Sequence, residues 1–376
     1  MSALLTLILT THNDAATVAE AVASVKPFID RYVVVDTGSK DGTKDALAAA
    51  LEGVEGQILD ATFKDFSTTA NEGLDVAGDG AFALLLSGHE KLVGGEAMKG
   101  FLEQHTDPKA AGAYQIRVSL AGKLLDETRV SRIAAGYRWA GAAHPLLARE
   151  KGPVPNQRIP GTQIETLGRD AKAERSRLQL ERRLLEDDLK VTPNDARMAF
   201  FLAHTLEKLG DTKKAYAAYE KRAKMGGWQE EVFESLLGLG RTAASVGKPW
   251  AEAQQHFLDA HTHSPQRAES LFAVAWHYYE IKNHPLTFLF ASRAAALPVP
   301  EKASLFVDTD VYTHKILDLV GTAAFYVGEL AAGEAALRKA LEAKPEDARF
   351  QKNLAFYESK RKSPITTAAA PTAPAA

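Results

Sequence analysis

This 376-residue sequence predicts an α/β domain with a mostly parallel sheet and flanking helices, followed by an all-α solenoid of helix pairs. Three observations lead there. Up to residue 165, short β-branched or leucine-rich runs alternate with amphipathic stretches, the pattern of parallel strands joined by crossover helices. From residue 166 the β-rich runs stop, and alanine, leucine, lysine and glutamate recur at helical spacing. Within that second half one motif returns with a period of about 34 residues.

Taken in order, LLTLILT (4 to 10) is a buried strand and TVAEAVASVKPF (17 to 28) a helix with an Ala, Val and Phe face. RYVVVDTGS (31 to 39) is a second strand ending in a turn. DGTKDALAAALEG (41 to 53) is a helix opened by a capping Asp or Thr and closed by Gly. QILDATF, FSTTANEGLDVAG and AFALLLSG continue as strand, helix and strand. In sheets of this kind ligands bind at the carboxyl ends of the strands, here THN, DTGSKDGT and SGHE.

The second half holds four imperfect copies of one unit, at 201 to 222, 238 to 265, 274 to 295 and 321 to 345. Their small residues (Ala203, Gly210, Ala215; Gly240, Gly247, Ala253; Gly321, Gly328, Gly333) fall at tetratricopeptide offsets, and Pro193, Pro265 and Pro345 punctuate the units. Small residues let paired helices approach closely, so the spacing marks a tetratricopeptide-like helical repeat domain over 166–362. The segment 363–376, ending ITTAAAPTAPAA, lacks the apolar bulk to pack and is expected to be a disordered tail.

Composition narrows the function classes. A net charge of −3 gives no broad basic field for nucleic acid or an anionic membrane. Without cysteine, any metal must be held by histidine and carboxylate. The apolar run LLTLIL is too short for a membrane span or signal peptide, which makes the cytoplasm the default location. No GxxxxGK[ST], HExxH or GxSxG motif occurs.

Several segments carry a family resemblance: TTHN (10 to 13), SVKPFIDRYVVVDTGSKDGT (24 to 43), FSTTANEGLDVAGD (66 to 79), YRWAGAAHP (137 to 145), MGGWQEEVFESL (225 to 236), SPQRAESLF (264 to 272) and LFVDTDVY (305 to 312). Residues 1–165 resemble the GT-A nucleotide-sugar-binding domain of family 2 glycosyltransferases. The whole chain resembles bacterial proteins that fuse such a domain to tetratricopeptide repeats. The resemblance implies a UDP-linked sugar as donor, a divalent cation (manganese or magnesium), and a protein, peptide or glycan acceptor.

The implied site follows residue by residue. Asp36 would accept from the uracil imide and ribose hydroxyls, with Thr10 and His12 beside it. Asn71 sits in a motif whose preceding arginine is Ala70 here. Ser87 and His89 stand where the family places the two acids of its metal-binding DxD motif. In one reading His89 takes the metal with His144, which resembles the family's distal histidine. In the other, metal binding is lost and Arg129, Arg132 or Arg138 handles leaving-group charge. Glu90 and His144 are the expected catalytic residues, Glu90 as general base by proximity to the loop, with Asp126 and Glu127 as weaker candidates. Two functions remain open at this level: an inverting glycosyltransferase, or a degenerate domain on a repeat scaffold that works by binding protein partners.

Overall fold

The structure, a computed structural model, describes residues 3–107, 112–120, 122–150, 152–168 and 170–362. The expected tail, 363–376, lies outside them. The chain divides into two compact units, Met1–Ala253 with Lys302–Val307, and Gln254–Glu301 with Asp308–Ala376.

The first unit is built on β1 (Leu5–Thr11), whose leucines are wholly buried between two parallel neighbours. These are β2 (Arg31–Asp36) and β4 (Phe82–Ser87); β3 (Glu55–Asp60) extends the parallel set beyond β2. Strands buried on both faces need continuous apolar runs, which LTLIL, VVV and FALLL supply. Each buried leucine stabilises the fold by roughly 2 kcal/mol. The crossover helices α1 (Val18–Val25), α2 (Thr43–Ala50) and α3 (Phe66–Asp75) follow the expected alternation. Gly42, in the left-handed region at φ 89°, holds the N-cap of α2 where Asp or Thr was expected. Asp65 caps α3 by accepting from the Thr68 amide at 2.6 Å.

Beyond β4 the sheet departs from the mostly parallel one predicted. It runs β3-β2-β1-β4-β7-β6-β10-β5 and is mixed. β6 (Ala113–Leu120) and β7 (Lys123–Arg132) form an antiparallel hairpin, β7 pairs antiparallel with β4, and β5 (Glu90–Val93) pairs antiparallel with β10 (Arg158–Thr166). The physical reason is connection length. Only two residues separate β6 from β7, whereas a parallel return needs a dozen or more. A separate two-stranded ribbon, β8 (Tyr137–Ala140) with β9 (Leu146–Arg149), covers α3. Helix α4 (Gly95–Gln104) packs on β10.

The same unit continues into helices: α5 (Ala171–Val191), α6 (Ala196–Lys208), α7 (Thr212–Ala223) and α8 (Gln229–Ala243). Phe200 and Phe201 of α6 enter the core that contains the β1 leucines, together with Leu305 and Phe306 from the returning segment 302–307. Gly238 of α8 lies against the Tyr219 ring of α7, where an added Cβ would meet ring carbons at 2.5 Å. A buried ion network ties three of these helices: Arg222 and Arg197 both bond Glu231, at 2.9 and 3.2 Å.

Helix α9 (Trp250–His263), which enters the second unit at Gln254, precedes the other helices of that unit. These are α10 (Glu269–Glu280), α11 (His284–Ala295), α12 (Ile316–Val327), α13 (Leu330–Ala343) and α14 (Ala348–Lys362). Each of the four repeat copies read in the sequence is a helix–turn–helix, as that spacing requires. Gly321 of α12 accommodates Leu337 of α13, whose Cγ would lie 2.5 Å from a Cβ there. Arg267 is fully buried and pairs with Glu269 at 2.8 Å; Glu269 also accepts from Tyr312 at 2.7 Å. The pair seen in SPQRAESLF is thus a structural ion pair, anchored by the tyrosine of LFVDTDVY.

Candidate functional site

Strand register sets Thr10 opposite Val35 on one side and Ser87 on the other, with Asp36 opposite Thr11, so Thr10, Asp36 and Ser87 gather at one sheet edge. The loops that leave this edge bond to one another. His12 Nδ1 lies 3.1 Å from the Thr37 carbonyl and its Nε2 3.0 Å from the Asn13 amide nitrogen, a pattern that fits the neutral Nδ1–H tautomer. Asn13, left-handed at φ 54°, accepts from the Lys40 amide. Asp14 is buried and accepts from Thr11 Oγ1 at 2.9 Å. Asp41 accepts from Thr43 and from the Ala15 amide; burial opposes its charge, but these bonds hold its carboxyl below the usual range.

Asp36 keeps hydrogen-bonding capacity among the described residues. It is fully buried, and its Oδ1 accepts from the Gly38 and Ser39 amides at 2.9 and 2.8 Å. Its Oδ2 is buried with no hydrogen-bond donor among the described residues. An unsatisfied buried acceptor costs about 1–3 kcal/mol, so this oxygen can take a further donor.

The SGHE segment is a tight turn between β4 and β5 rather than an open loop. Glu90 is 4% exposed, accepts from the Ser87 amide at 2.8 Å, and forms a two-point pair with Arg129 at 2.8 and 3.0 Å. Burial disfavours its charge, but Arg129 and His89 outweigh that and hold the carboxyl below its ordinary value. Arg129 also bonds Glu127, and its pKa is driven further up. Asp126 is engaged by Arg117 and Arg158. The carboxylates considered as bases are therefore all ion-paired.

The remaining expected residues make their contacts elsewhere. Both ends of the Asn71 amide are used on the Trp139 backbone, at 2.9 Å each, clipping β8 to α3. His144, left-handed at φ 50°, stacks on Phe201 at 3.9 Å and places Nε2 3.7 Å from Glu181. Tyr137 and Trp139 are buried residues of β8. Arg132 donates to the carbonyls of His105, Thr106 and Asp107, and Arg138 pairs with Asp75. Among the described residues, no group of three or more His, Asp or Glu comes together to hold a metal ion.

The second unit carries a different kind of feature, for which sequence reasoning named no residues. Pro285, Leu286, Phe288 and Leu289 of α11 line a hollow closed by Val327 and Glu329 at the α12–α13 turn. Leu289 is 59% exposed and Tyr326 61%, and the His284 ring stacks on Tyr326 at 3.7 Å. The legible signal was apolar residues on the outward side of a repeat helix. Among the described residues no helix is long and apolar enough to cross a membrane.

No family model matches the chain. A curated relative, a TPR (tetratricopeptide) repeat-containing protein of Synechococcus elongatus, is 27% identical over 243 residues. The match covers 61% of this chain and 59% of the relative, so the chain spans little more than half of that protein's length. Solved structures that resemble it are also TPR proteins. One is YrrB, described as having an unusual peptide-binding site (14% identity, 48% of this chain and 85% of that one, TM-score 0.37). Another is a thermophilic TPR protein of Thermus thermophilus (22% identity, 50% and 94%, TM-score 0.32). The curated relative and the absence of a matching family model correct the expected resemblance to family 2 glycosyltransferases: the relative is a TPR protein, and no glycosyltransferase family model fits. The GT-A domain, the UDP-linked donor and the manganese ion that this resemblance implied are withdrawn with it.

Proposed function

We propose that this chain is a repeat scaffold that binds a protein or peptide partner. The observation that carries the reading is the run of helix–turn–helix pairs, in which glycines at the crossings bring neighbouring helices into close contact. Such arrays bury their inward faces against each other and leave side chains on the outward faces for a partner. The hollow beside Leu289 supports a partner segment that presents apolar side chains to α11, because such side chains would cover surface now left to water. The 27%-identical relative is itself named for its TPR repeats, which favours the same class.

The test is selection of peptides from a random display library on the full chain, followed by calorimetry with the selected synthetic peptide. Leu289→Asp is expected to weaken binding by at least tenfold while leaving the circular dichroism spectrum unchanged. Failure to select any peptide, or equal binding by the variant, would count against the reading.

A second reading is favoured by one atom, Asp36 Oδ2. A buried acceptor without a donor, at the carboxyl edge of the parallel strands, supports a small ligand rich in hydroxyl or N–H groups. Titration with a panel of nucleosides and monosaccharides should give saturable heat that Asp36→Ala abolishes; no heat from any of them would rule this reading out.

A further inference from the structure

Helix α14 runs alongside α12 in the same direction. Arg349 pairs with Asp318 at 2.8 Å, the Phe356 ring meets Phe325 at 4.8 Å, and Tyr357 donates to the Gly321 carbonyl at 2.6 Å. Phe356 is therefore level with the last turn of α12, and Lys362 lies about 9 Å further along the helix. The chain thus leaves α14 at the end where the α12–α13 turn closes the hollow. The rings continue in that direction. Phe325 packs edge-on against Tyr326 at 5.4 Å, and Tyr326 stacks on His284, the first residue of α11. All of these residues belong to the second unit.

This surface is apolar and open. Leu289, Tyr326 and Phe356 are exposed, and Glu329 is the only charged residue among the described ones that line the hollow. The sequence that follows α14, SPITTAAAPTAPAA (363 to 376), lies outside the described residues; it carries no charged side chain and sets Pro371 and Pro374 three apart. Prolines at that spacing fall on one face of a polyproline II helix, and such faces pack on aromatic rings. Length also suffices. Helix α11 neighbours α12, which neighbours α14, so two helix spacings of roughly 10 Å separate α14 from the hollow. Residues 363–376, at about 3.1 Å each in that conformation, reach roughly 40 Å.

We propose that residues 363–376 dock on their own chain, with the Pro371 and Pro374 face against Tyr326 and Leu289, and so cover the surface that a partner would use. An uncharged, proline-bearing segment matches an apolar surface flanked by exposed rings. Tethering this close gives the segment an effective concentration of about a millimolar, so a weak contact is populated and a tighter partner displaces it. This occupancy rests on the hollow being a docking surface, and makes the segment a competitor of the partner.

The chain contains no cysteine, so Thr372→Cys places a nitroxide at one position of the full-length protein. The methyl resonances of Leu286, Leu289 and Val327, which line the hollow, report how near it comes. They are expected to lose at least half their intensity relative to the reduced label. Pro371→Glu/Pro374→Glu, which alters no described residue, should restore them, and Leu289→Asp should restore those of Leu286 and Val327. An intensity loss that persists in the proline double variant would overturn the docking. The same loss on isotope-labelled chains mixed with separate nitroxide-bearing ones would overturn it in favour of a second copy. No loss at all, while the selected peptide still binds and binds more weakly to Leu289→Asp, would strike the self-docking and leave the partner reading standing.

Discussion

Glu90 shows how a residue changes meaning once its neighbours are known. By sequence it stands next to a strand end and has the chemistry of a base; in the fold it neutralises the half-buried Arg129. Removing one partner of a buried pair strands the other charge, so Glu90→Gln should lower stability by about 3 kcal/mol in urea unfolding at neutral pH. The folded carboxyl titrates below its unfolded value of about 4.3. Its stabilisation is therefore complete above that pH and lost as pH falls through the folded value. The wild-type advantage over Glu90→Gln should shrink below about pH 4, and a constant difference down to pH 2 would refute the assignment. Asp36 was singled out through the resemblance carried by DTGSKDGT; in the fold its Oδ1 holds the turn that follows β2, and its Oδ2 has no donor among the described residues. Asn71 was misread because an amide that clips two backbone groups of a distant strand leaves no local trace.

Among elements, the sequence is clearest where periodicity alone decides the outcome. The strands β1, β2 and β4 and the four helix pairs were readable from apolar runs and small-residue spacing. The β6–β7 hairpin was not read, although Ile116, Val118 and Leu120 of AYQIRVSL alternate with polar residues, since the parallel pattern before it suggested its own continuation. Glycines test the helix pairs directly. Gly238→Val would drive its side chain into the Tyr219 ring and should cost about 3 kcal/mol. Gly247, left-handed at φ 80° with open space around it, should lose only about 1 kcal/mol as Ala, from the backbone alone. Thermal unfolding of the two variants ranks them, and an equal loss would mean that α7 and α8 do not cross at Gly238.

At the scale of the whole molecule, the first unit combines a mixed sheet with the helices α1 to α8, and the second is built of helices. What the sequence could not reveal was which surfaces are spent on packing. The strand-edge loops look like a binding edge but bond largely to one another, whereas Leu289, Tyr326 and the neighbouring hollow remain exposed. A scaffold reading follows from that contrast. The measurement that tests it most directly is amide hydrogen exchange of the full chain with and without the selected peptide. The account predicts slowed exchange in α11 and at the α12–α13 turn. Protection confined to residues 10–15, 36–43 and 87–90 would contradict it and place the partner at the sheet edge instead.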